Sequence, residues 1–114
     1  MMYVLFICAE RGGLDASPEE LDPTAWVDEM DQRSVRKFGD ALAPTDRATT
    51  LRVRDGEVLL TDGPFAETKE QILGFDVIEC ADLDEALAVA AKHPVARYGM
   101  VEVRPFWTPS PTSS

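Results

Sequence analysis

A chain of 114 residues is long enough for one domain with a buried core and too short for two. With 45% hydrophobic and 28% charged residues, it has the make-up of a folded globular protein and not of a disordered one. Its 21 acids against 11 bases leave a net charge of −10, a field that repels a phosphate backbone and argues against nucleic-acid binding.

Residues 2 to 9, "MYVLFICA", are rich in β-branched and aromatic types and carry no alternating polar residues, which predicts a central strand buried on both faces. The run is far shorter than the ~20 residues that cross a bilayer, and no basic segment precedes it, so a cytoplasmic protein without a membrane span is expected. Next, "ERGGLDASPEE" reads as a surface loop with a short turn near Ser17. Asp22-Pro23 predicts a helix start, because the carboxylate caps a free amide while proline fits the first turn. The helix is predicted to run to about Phe38, with Trp26, Val27, Met30 and Phe38 on its buried stripe and Gly39 as its C-terminal cap. Arg33, Arg36 and Lys37 then fall on a solvated helix face.

Strict alternation around Leu51 and Val53, followed by Asp55-Gly56, predicts a hairpin of strands 49 to 54 and 57 to 61 joined by a type I′ turn. Asp62-Gly63-Pro64 then reverses the chain. Residues 72 to 80 form a further strand in which Phe75 and Val77 oppose Ile78 and Cys80. Asp82 is placed to cap a helix running to His93, with Glu85 able to return the bond; Leu83, Ala86, Leu87 and Ala90 make its buried stripe, and Pro94 ends it. A last strand, 99 to 105, alternates Val101 and Val103 with Glu102 and Arg104, as an edge strand does. Residues 1 to 107 thus form a single domain and 108 to 114 a frayed tail.

This order predicts an α+β chain of the split βαβ, ferredoxin-like type, elaborated by the hairpin. Two helices cover one face of such a sheet. The first strand, however, is apolar on both sides, with Tyr3, Leu5 and Ile7 one way and Val4, Phe6 and Cys8 the other. A homodimer packing sheet on sheet is therefore expected, since a bare apolar face of that size is rarely left in water.

The stretches "LLTDGPFAETKE", "GFDVIECADLDEALAVAAKHP" and "ARYGMVEVRPFW" resemble the DGPF branch of the YCII-related proteins, and the resemblance extends over nearly the whole chain. It implies a dimeric α+β barrel of ferredoxin-like topology. It also implies a cleft where a histidine on the first helix faces an aspartate that precedes a proline after the second helix. Here the first helix has no histidine but acids such as Asp28, and the later position holds His93-Pro94, so an exchanged histidine and carboxylate pair is the expectation. A further implication is a regulatory setting beside an extracytoplasmic-function sigma factor.

The candidate catalytic residues are His93, the one histidine, and Asp62; Asp28, Phe65 and Lys69 are candidate ligand-binding residues. Each has a structural alternative. His93 can serve a helix end, Asp62 can bond the amides of its own turn, Phe65 can pack beneath that turn, and Lys69 can belong to a solvated bend. One histidine and two separated cysteines make no zinc site, and no glycine-rich phosphate loop follows a strand, so neither metal nor other cofactor is implied. Two function classes follow: a small-molecule cleft that binds or performs acid/base chemistry, and a dimeric regulatory module that partners a sigma factor.

Overall fold

The computed structural model of the chain describes residues 1–63 and 70–108, and the tail expected from 108 onward falls almost wholly outside them. β1 (Met2–Glu10), β2 (Arg36–Ala41), β5 (Glu70–Glu79) and β6 (Met100–Pro105) form an antiparallel sheet in the order β2-β5-β1-β6. Helices α1 (Thr24–Gln32) and α2 (Leu83–Ala91) accompany it, and β3 (Thr49–Arg54) pairs with β4 (Glu57–Asp62) in a separate two-stranded sheet. This is the ferredoxin-like α+β arrangement, with β1 central and β6 at an edge as the sequence implies.

The core lies where Tyr3, Leu5 and Ile7 of β1 and Ile78 of β5 meet Trp26 and Met30 of α1 and Ala86, Val89 and Ala90 of α2. The small alanines let α2 approach, and the Trp26 indole N–H donates to the Val89 carbonyl at 2.9 Å, tying the helices together. α2 begins as expected, with the Asp82 carboxylate accepting the Glu85 amide at 2.9 Å. Its buried stripe differs: Val89 joins Ala86 and Ala90, whereas Leu83 and Leu87 are exposed.

α1 opens one residue later than expected, with Pro23 and not Asp22 at its N-cap, although Asp22 still accepts from the Thr24 amide at 2.9 Å. It ends six residues before the expected boundary. Ser34 takes a left-handed φ of 58°, so that its amide reaches the Asp31 carbonyl and the Val35 amide reaches Met30, each pair about one turn apart. Buried Val35 packs in the same core as Met30, which completes a Schellman stop built on serine in place of glycine. Residues 36 to 41 are thereby free to form β2, whose first three residues the sequence reading assigned to the helix. Phe38 leaves the expected helix stripe, and Gly39 is a strand residue and not a cap.

A bulge in the β2-β5 ladder has a direct consequence for β2. Arg36 pairs with Ile78 and Phe38 with Val77, so the irregularity between them turns Arg36 toward the helices and Phe38 away. Gly39 then faces Asp76, and a Cβ there would run into the Asp76 carboxylate and lie 2.5 Å from the Phe75 carbonyl oxygen.

Asp55 and Gly56 both have positive φ, 52° and 79°, as the type I′ turn requires. Cys8 and Cys80 are both buried, matching the reading of both as packed thiols. No helix among the described residues is long and apolar enough to cross a membrane.

Candidate functional site

A cavity of about 450 Å³ opens between the sheet and the segments that cross its helix side. Leu14 and Leu21 of the loop after β1, Val27 of α1, Leu73 of β5 and Val95 beyond α2 give it apolar walls. Arg36, Asp76 and His93 supply its chemistry, with Asp40 at the β2 edge. An apolar cleft with a few convergent polar groups is the usual form of a small-molecule site.

Asp76 stands in an apolar strand, and alternation places it on the same side as Ile78, facing the helices. A buried carboxylate needs a partner. Arg36 provides it: Nε donates to Asp76 Oδ1 at 2.8 Å, while one terminal nitrogen donates to the Gly39 carbonyl at 2.9 Å and the other lies 3.5 Å from Asp31. The pair is largely shielded from solvent. Burial raises the Asp76 pKa above the ordinary carboxylate value, and the Arg36 hydrogen bond and charge pull it back part of the way.

His93 follows α2 and heads the 3₁₀ turn Pro94–Arg97. Its Nδ1 accepts the Val95 amide at 3.1 Å, so the neutral ring carries its proton on Nε2. Trp26 meets the ring edge-on at a centroid separation of 4.8 Å. Burial pushes the His93 pKa down to about 4, which keeps it neutral near pH 7. The imidazole is thus a capping acceptor and a hydrogen-bond donor, not the cation at a helix end that the sequence allowed for.

Among the described residues the carboxylates lining the cavity with His93 are Asp76 and Asp40, and neither was singled out from sequence. Asp28 lies exposed on α1 and Asp62 exposed at the end of β4; among the described residues neither lines the cavity. Phe65 and Lys69 lie outside the described residues. A signal for Asp76 was present in "GFDVIEC", where an acid takes an inward position of a buried strand. Arg36 could not be paired with it while residues 36 to 38 read as helix. Among the described residues no three His, Cys, Asp or Glu side chains gather as metal ligands.

The YCII-related domain model matches residues 1–108 of this chain. An uncharacterised protein of Rhizobium meliloti (strain 1021) is similar to it, with 44% identity over 104 residues that cover 76% of this chain and 84% of the relative. A match of that extent, on a ferredoxin-like α+β fold, makes the chain a member of the YCII-related domain family.

Proposed function

We propose that the cavity binds a small, mostly apolar molecule bearing a carbonyl or similar acceptor, that Asp76 and His93 handle a proton there, and that the working unit is a homodimer joined through the bare sheet face. The observation that carries this reading is a carboxylate and an imidazole, both buried, on the walls of one apolar cavity. In this setting His93 Nε2–H donates to the acceptor atom and polarises it. Asp76, made more basic by burial, takes a proton from the adjacent carbon or hydroxyl, while Arg36 fixes its orientation. Because His93 stays neutral, it acts as a donor without becoming a strong acid. The chemistry is accordingly mild acid/base work, such as enolisation.

Support for the dimer comes from the face of the sheet that carries no helix. Phe6, Phe75 and Val77 are partly exposed there, and Phe38 is 60% exposed beside Phe75, their rings 5.6 Å apart. The molecule is only 20 Å through its thinnest direction, the depth of one sheet and one helix layer at about 10 Å each.

Cyclohexanone serves as a probe of both parts of the site. In amide NMR titrations it should shift Val27, Gly39, Gly74 and Val95, and a Val27→Phe variant that fills the cavity should abolish those shifts while keeping the dispersion of the folded spectrum. Scattered shifts that ignore Val27→Phe would contradict the site. In D₂O, exchange of the α-protons should be accelerated by the wild type and not by Asp76→Asn; equal exchange by both would remove the chemistry and leave only binding.

A further inference from the structure

We propose that the β3-β4 hairpin is an arm that packs on a second copy of this chain and completes the subunit interface begun by the bare sheet face. The inference rests on the homodimer reading above and adds the element that gives the contact its size.

Ladder register places Leu51 opposite Leu60 and Val53 opposite Val58, so four branched side chains share one face of the ribbon. Their exposures are 58%, 65%, 52% and 60%, respectively. The other face is mixed, with Thr50, Arg52 and Arg54 against Thr61, Leu59 and Glu57. An amphipathic ribbon of this kind normally lies on a core. Here it forms a sheet of its own, closed at its root by the Gly63 amide on the Ala48 carbonyl at 2.8 Å and by the Thr50 hydroxyl on the Gly63 carbonyl at 2.7 Å. A lone two-stranded ribbon is at best marginally stable in water, so its order calls for a covering surface.

Size and charge select a second copy as that surface. The bare sheet face supplies roughly ten outward residues, about half of the ~20–30 that each side of a stable specific interface contributes. Residues 49 to 62 make up the difference, and they are apolar on one side as the sheet face is. Charge agrees as well. Between Arg47 and Asp62 there are three arginines and three acids, so the arm is neutral on a chain of net charge −10 and can approach an equally acidic copy without the repulsion met by the rest of the surface.

The test is a Leu51→Glu, Leu60→Glu variant of the intact chain, studied by sedimentation beside wild type and a Phe75→Glu variant. The dimer dissociation constant should rise roughly tenfold or more in the arm variant, as expected when central apolar contacts are lost. Because these side chains lie outside the chain's own core, its folded spectrum should be retained. A sample mixing ¹³C-labelled and unlabelled protein gives a second readout that needs no substitution: isotope-filtered contacts from the Leu51 and Leu60 methyls to the unlabelled subunit are expected. A dimer that weakens with Phe75→Glu but ignores the arm variant, and shows no such methyl contacts, overturns the arm and spares the sheet interface. A wild type that stays monomeric overturns both.

Discussion

The helix-facing row of the central sheet and the apolar row of the hairpin come from the same local pattern, yet they meet opposite surroundings. Tyr3, Leu5, Ile7 and Ile78 are 0 to 6% exposed, while Leu51, Val53, Val58 and Leu60 are all more than half exposed. Alternation decides which side chains share a face. What covers that face depends on other elements: α1 and α2 pack on one side of the sheet, whereas among the described residues the ribbon's apolar row contributes no side chain to the core.

The sharpest way to break this comparison is to truncate one residue from each row. Leu5→Ala should destabilise the subunit by about 2–5 kcal/mol in denaturant unfolding, because the cavity it leaves is enclosed by the core. Leu60→Ala, measured at concentrations where subunits are separate, should change stability by no more than about 0.5 kcal/mol. Comparable losses would mean that the arm is packed within its own chain.

Acid offers a test of the covered side alone. Between about pH 6.5 and about pH 4 the unfolded chain protonates its histidine while the folded chain, with His93 held down to about 4, does not. The unfolded state then binds more protons, so stability should fall on acidification across that window, by on the order of 3 kcal/mol in full. Above the window this contribution is flat. Thermal or urea unfolding of His93→Gln should lack the slope. Asp76 works in the opposite sense, since burial favours its protonated form in the folded chain.

Neighbouring residues of β2 sharpen the contrast at smaller scale. Gly39 faces inward and has no room for a methyl group beside Asp76, so Gly39→Ala should cost about 1–3 kcal/mol and disturb the Arg36 pair. Phe38 faces the bare side, and Phe38→Ser should leave subunit stability nearly unchanged while weakening association. Unfolding curves and sedimentation of both variants separate the two effects.

Much of the architecture was legible because its signals are local. Asp55-Gly56 demands its turn, Asp82 caps α2, and the two apolar rows of β1 announce a central strand. What was missed hinges on Ser34, whose left-handed conformation stops α1 without the glycine that usually marks such a stop. With α1 read too long, β2 was lost, and Arg36 with it. The site suffered in turn: His93 could be picked out as the one histidine, but the pairing of Asp76, on the same cavity wall, with Arg36 became visible only once β2 was seen to present Arg36 across the ladder. Asp28 and Asp62 share its chemistry and not its place.

The apolar rows left bare by a single subunit carry the account, and native mass by light scattering at micromolar concentration tests them most directly. A particle of twice the 12.6 kDa chain mass is expected. A well-folded species at the single-chain mass would contradict it.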